Sequence, residues 1–381
     1  MPYWRLSGFY FFYFASLGAL VPYWGIYLKS LGFTANDIGI FMAIVIGTKI
    51  VSPNIWGWIA DHTGKRMLIV RVGCLLAAIS FAGVFISSNY WWMLLVMMCF
   101  SFFWNAALPQ FEATTFNHLG DRTHHYSSIR LWGSIGFIVA VVLLGSLLEV
   151  KGASVLPVAL IALFAGIWLM SLVVPEQVAS HLCLDEVSIV EVLKRPAVVA
   201  LLFSCFLMQM SHGPYYTFYS IYLEEHHYSR SLIGQLWSLG VVAEVVVFLL
   251  MHLMAPRFGL RFLLMLSLFL ASVRWLLVAY FVENLPVLIL AQTLHAASFG
   301  IYHASAIELI HRYFPGTHQG KGQALYSSLS FGAGGAVGSL YSGLLWESAG
   351  PQIVFTIAAV IAVIAFCVSW VWIRPGQKQT G

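Results

Sequence analysis

The chain has 381 residues, 60% of them hydrophobic and only 9% charged, with a formal net charge of +4 and a mean hydropathy of +0.85. Soluble domains carry roughly 25% charged residues, so a water-soluble enzyme, a nucleic-acid binder and a disordered chain are excluded together. A helix needs about 20 apolar residues to cross a bilayer, and at about 32 residues per span with its loop the whole length is consumed by about twelve spans.

In chain order the apolar runs predict spans at about 4–28, 36–59, 67–88, 90–117, 127–149, 153–174, 197–223, 231–254, 260–281, 285–312, 321–346 and 350–373. The expected fold is an all-α membrane protein of twelve transmembrane helices in two six-helix halves. The first run is too long for a signal-peptide core and is read as a retained span. Breakers fall between the runs, among them Gly32, Gly64, Gly120, Pro175, Pro196, Pro256, Pro286 and Pro315. The polar stretch 175–196 reads as a linker between an N-terminal half, 1–174, and a C-terminal half, 197–381. Five cysteines stand without a C-x-x-C, so neither a disulfide framework nor a metal site is implied.

Lysine and arginine placement sets the expected orientation. With both termini in the cytoplasm, twelve cations lie on the inner side, three lie outside (Lys29, Lys151, Arg230), and four fall inside spans. The halves also repeat. SLGALVPYWGIYLKSLGFTANDIGIFMAIVIGTK (16–49) aligns with SHGPYYTFYSIYLEEHHYSRSLIGQLWSLGVVAE (211–244) at a constant offset of 195, which also pairs Gly64 with Gly259 and Arg66 with Arg261. Two parallel halves around a midplane site is the plan of a secondary transporter.

Charge inside a bilayer costs at least about 2.5–3.5 kcal/mol and asks for a reason. Arg71 can snorkel to the inner face. Glu308 lies four residues before Arg312 and can pair with it on one helix face. Glu112 and Arg130 flank the loop between spans 4 and 5 at matched depth and can form a salt bridge. Lys49 and Glu244 occupy equivalent repeat positions with opposite sign, and can pair or face one cavity. Arg274 lies about 20 Å of helix from Arg261, with an outward snorkel as the alternative. His295 is a titratable residue in span 10, read either as a hydrogen-bonded core histidine or as a proton relay. Tyr23, Trp24, Tyr27, Tyr215, Tyr216 and Tyr219 are read either as packing or as an apolar wall.

Between spans 2 and 3 stands GWIADHTGKR (57–66). It resembles the loop signature of the major facilitator superfamily, with His62 in place of a basic residue. The resemblance implies a conformational role for Gly57, Asp61, Gly64, Lys65 and Arg66, with no contact to substrate. Arg130-Leu-Trp-Gly133 with Phe137, Glu112, Glu244, Arg274 and His295 together resemble the oligosaccharide–proton symporter branch typified by lactose permease, and more closely its phenylpropionate permease-like group. That resemblance implies substrate binding by Glu112, Arg130 and an aromatic at Phe137, and coupling through Glu244, Arg274 and His295. There are departures. Ser298 stands where the family carries a proton-carrying Glu, Phe137 replaces a Trp, and Lys49 is an added cation. Glu244 therefore becomes the leading proton carrier, with His295 and Glu308 behind it.

Lys49, Arg130 and Arg274 against Glu112 and Glu244 leave a cationic excess that suits an organic anion. The expected function is proton-coupled import of a small aromatic carboxylate by a monomer in a bacterial inner membrane. The proton is the coupling ion, and no cofactor, metal or nucleic acid is involved. The alternatives are a sugar or nucleoside symporter and a drug–proton antiporter, the last disfavoured because span 5 has no proline. No H-E-x-x-H, G-x-S-x-G or P-loop supports a membrane enzyme.

Overall fold

The computed structural model describes residues 1–120, 122–176 and 189–373. Among these the chain is helical throughout, and eleven helices are long and apolar enough to cross a membrane. Spans 1 to 6 are Tyr3–Ser30, Ala35–Thr63, Arg66–Ala82, Tyr90–Leu119, Tyr126–Lys151 and Leu156–Val173. After a short helix, Ile189–Leu193, come span 7, Pro196–Glu225, span 8, Arg230–Phe258, and span 9, Leu260–Tyr280. Span 10 runs from Leu285 to Tyr313 and span 12 is Pro351–Trp372. The remaining predicted span is a helical run in three consecutive pieces, Gln319–Ser327, Ser328–Gly334 and Gly335–Trp346, and is taken as span 11. Most of the predicted linker, residues 177–188, lies outside the described residues, as do Asp121, Arg374 and Lys378.

Two features were not expected. Span 10 carries a π-helical turn at Ala296–Ile301 and span 11 another at Ser328–Gly334. A π turn inserts one extra residue and re-aims the faces that follow it, and such turns gather at functional sites.

The described chain forms two compact units, Met1–His181 with Tyr216–Ser238, and Leu182–Tyr215 with Leu239–Gly381. In the first, span 1 packs along spans 5 and 6, span 2 along span 4, and span 3 along spans 4 and 6. In the second, span 9 packs along spans 10 and 12.

The sequence repeat reappears as repeated local structure. Thr34 caps span 2 through its side chain, accepting from Asp37 N, and its equivalent Ser229 accepts from Leu232 N at the start of span 8. Gly64 and Gly259 both take positive φ, +68° and +78°. At the position equivalent to Gly32 (φ +87°) stands His227, which holds φ +62°. Ser16 and Ser211 each donate to the carbonyl three residues back at 2.7 Å.

Without a hydrophobic drive between helices in lipid, close backbone approach does the packing, and small residues permit it. A Cβ on Gly136 of span 5 would overlap the Phe11 carbonyl of span 1. Gly136→Val is therefore expected to separate spans 1 and 5 and lower the melting temperature of the detergent-purified protein, the overpacking costing about 1–3 kcal/mol. A wild-type melting curve for that variant would show that the contact is not tight.

Helix ends within the first unit are tied by charge. Lys29 at the end of span 1 pairs with Glu225 at the end of span 7 at 2.6 Å. Arg230 pairs with Glu224 at 2.7 Å, and its backbone N–H donates to Glu149 at 2.6 Å.

Candidate transport site

The loop at 57–66 builds a small charged hinge. Gly64 ends span 2 in the left-handed conformation, which turns the chain so that Arg66 pairs with Asp61. The same guanidinium donates to Gln110 Oε1 of span 4 at 2.9 Å. A Cβ on Gly57 would lie 3.3 Å from the Gln110 amide, so the missing side chain keeps span 2 close to span 4. Lys65 is exposed. Glu176, which the sequence did not single out, accepts from Met67 N at 3.1 Å and covers the start of span 3, an anion at a positive helix end. Arg71 donates to the carbonyls of Ser171 (3.2 Å) and Val174 (2.8 Å) and so satisfies the last turn of span 6.

In the first unit the expected Glu112–Arg130 salt bridge is not formed. Glu112 instead accepts from the Tyr126 hydroxyl at 3.3 Å. Arg130 lies flat over Phe14, 3.7 Å from the ring centroid, with Tyr10 at 5.8 Å. Gly133 makes this possible: a Cβ there would sit 2.6 Å from Arg130 Nη1 and 2.7 Å from the Phe14 ring. An aromatic face attracts the guanidinium strongly enough to compete with a distant carboxylate. Lys49, in mid-span 2, makes no hydrogen bond or ion pair among the described residues. Phe137 is buried against Gly18. Tyr23, Trp24, Tyr215 and Tyr219 are fully buried, and Tyr23 donates to the Val141 carbonyl at 2.6 Å. Tyr27 is also buried, and Tyr216 is half-buried.

In the second unit, Arg274, His295 and Glu244 come together. Arg274 is 0% exposed, which removes the outward snorkel. Its guanidinium donates to Ala291 O (3.0 Å), His295 Nδ1 (3.0 Å), Ser298 Oγ (3.1 Å) and Gln292 Oε1 (3.4 Å). The rings of Tyr215 and Trp275 flank it at 4.2 and 4.5 Å. Arginine only donates, so Nδ1 of His295 is the acceptor and the imidazole is the neutral tautomer with its proton on Nε2. That Nε2–H faces Glu244 Oε2 at 3.6 Å. The separation exceeds a formed hydrogen bond, so the contact is electrostatic. Gly240 and Gly300 let spans 8 and 10 approach around it: a Cβ on Gly240 would lie 3.3 Å from Gln292 Oε1 and His295 Cδ2, and one on Gly300 3.3 Å from Glu244 Cγ. Glu308 is exposed and paired with Arg312 at 3.1 Å, the helix-end pair anticipated from the spacing, and it is not part of this cluster.

The sequence reading missed Gln292, which takes hydrogen bonds from both Arg274 and Tyr215 (3.1 Å), and Ser298, which had registered only as a departure. Their place four residues or fewer from His295 was the available signal.

Twelve helical runs among the described residues, with a charged turn after span 2 and ionisable groups inside the spans, define a secondary transporter of the major facilitator type. The chain belongs to the MFS_1-like family, whose model matches residues 3–357. It is 29% identical over 365 residues to a probable 3-phenylpropionic acid transporter of Escherichia coli (strain K12), covering 93% of this chain and 94% of the relative. It is 25% identical over 370 residues to a maltose permease of Geobacillus stearothermophilus, covering 93% and 91%. The solved structure of the nucleoside transporter NupG superposes with a TM-score of 0.81 over 99% of this chain and all of that one, at 19% identity, which shows the shared fold. A bacterial homologue of the lysosomal transporter Spinster gives 0.73 at 12% identity, with both chains fully covered.

Proposed function

We propose that the protein is a proton-coupled symporter that imports a small aromatic carboxylate across a bacterial inner membrane, both termini lying in the cytoplasm. The observation that carries the coupling is the Arg274–His295–Glu244 chain, in which a span-interior carboxylate faces a proton-bearing imidazole nitrogen. Protonation lets Glu244 pass through an occluded state without a bare charge, which lipid and dry protein both penalise. Arg274 is saturated by its four partners, so its role is to hold His295, and the substrate anion falls to Lys49 and Arg130. Glu112, hydrogen-bonded by Tyr126, completes that group in the first unit. The phenylpropionic acid transporter among its relatives supports an aryl carboxylate. The maltose permease and a putative nucleoside transporter of Escherichia coli (strain K12), 23% identical over 352 residues, keep sugars and nucleosides as the competing substrates.

Counterflow in proteoliposomes tests the substrate. Vesicles loaded with 3-phenylpropionate should take up external labelled 3-phenylpropionate transiently above equilibrium, and maltose or uridine loading should not support this. Counterflow driven by a sugar or nucleoside alone would overturn the aromatic-acid reading.

A further inference from the structure

Span 10 presents three rings in line: His295, Phe299 and His303. His295 stacks on Phe299 with centroids 5.4 Å apart and planes 16° apart, and Phe299 on His303 at 5.7 Å and 17°. In an α-helix each i,i+4 step drifts by about 40° around the axis. The wider π turn at Ala296–Ile301 makes the first four-residue step fall short of a full turn where an α-helical step overshoots it, so the two deviations oppose each other and all three rings share one face.

Span 11 meets this face at its own π turn. Phe331 lies edge-on to Phe299 (6.1 Å, 62°), to His303 (5.5 Å, 76°) and to Tyr326 (5.8 Å, 85°). Buried Tyr326 stacks on His303 and its hydroxyl lies 2.9 Å from His303 Nδ1, which fixes the plane of the imidazole. Phe299, His303 and Phe331 are each half-buried, so each ring keeps some open surface. This is not a lipid face. His212 of span 7 lies 6.5 Å from Phe299, and a row of imidazoles in hydrocarbon would be costly. The opposite side of span 10, at Ala297 and Ile301, is the one closed by packing against Leu263 and Val247.

We infer that Phe299, His303 and Phe331 form the ring-binding subsite of the transporter, with Tyr326 holding His303 as its third wall. A planar aromatic ring prefers offset-stacked and edge-to-face partners, and the surface these three half-buried rings leave open can supply them. The corner adjoins the coupling pair through the His295–Phe299 stack, so a ring seated there lies one side chain from the group that handles the proton. The inference rests on the aromatic-acid reading and gives it a location and a basis for specificity.

Purified protein in nanodiscs is titrated with 3-phenylpropionate and with its saturated analogue, 3-cyclohexylpropionate, which has similar bulk and no π system. Wild type should prefer the aryl acid. Phe331→Leu and His303→Ala should each lower the aryl-to-cyclohexyl affinity ratio by about tenfold. His303→Phe should keep it, because the wall needs an aromatic face rather than an ionisable nitrogen. A ratio unchanged in both Phe331→Leu and His303→Ala would overturn the subsite while leaving aryl transport standing. Wild-type protein that binds neither acid removes the underlying reading and the subsite with it.

Discussion

Replacing Arg274 with alanine is expected to abolish pH-driven uptake and to lower the thermal stability of the purified protein at the same time. The side chain is fully buried and donates to four groups, and two rings close over it. Truncation leaves His295 Nδ1 without its donor in a dry site, where an orphaned polar group costs about 1–3 kcal/mol, and opens a void the size of a guanidinium. It also frees the imidazole to choose its tautomer, so the proton on Nε2 is no longer assured beside Glu244. Arg274→Lys separates the two effects. The ammonium keeps the charge and part of the packing but lacks the planar fork that reaches several acceptors at once, so stability should recover more than coupling does. Full accumulation by Arg274→Ala, measured with a labelled aryl acid in vesicles, would show that the network is not needed for transport.

Glu244→Gln should give a different signature: no accumulation against a gradient, with equilibrium exchange retained. Glutamine is the permanent stand-in for the neutral acid, so the loaded carrier can still cross in both directions, but no proton is released on the inner side. One unit of pH gradient is worth about 1.4 kcal/mol, tenfold in concentration, and wild-type vesicles should approach that ratio for one proton per substrate. The variant should stop at equal concentrations. Accumulation by Glu244→Gln under an imposed pH gradient would assign the proton to another residue, with His295 the next to replace.

Much of this architecture could be read before any coordinates. Span positions follow from apolar run length, since lipid tolerates no unpaired backbone. The repeat was visible as a constant offset and reappears as paired caps and paired positive-φ turns. Arg274, His295 and Glu244 were singled out because an ionisable residue in a span needs a partner. The partners themselves were harder to name. Depth along a helix can be counted from its ends, but rotation about the axis cannot once a π turn intervenes. Two such turns decide which way Phe299, His303 and Phe331 look, and no composition signal marks them. The Glu112–Arg130 bridge failed for a related reason. Matched depth is necessary for an ion pair, but Gly133 lets the guanidinium lie down on Phe14 instead, and Tyr126 is within reach of the carboxylate. Tyr23 and Trp24 illustrate a third limit: in a span, packing and wall-lining rings have the same sequence.

Arg274 also bears on how the chain enters the membrane. Its four acceptors all lie 17 to 24 residues further along, on the next span. A cation in mid-bilayer weighs heavily against insertion of span 9 by itself. The helical hairpin of spans 9 and 10 brings all four hydrogen-bond acceptors with it, so the guanidinium is satisfied as soon as that pair is in the bilayer, before spans 11 and 12 have been synthesised. The same local wiring that fixes His295 for transport thus makes these two helices a single unit of insertion.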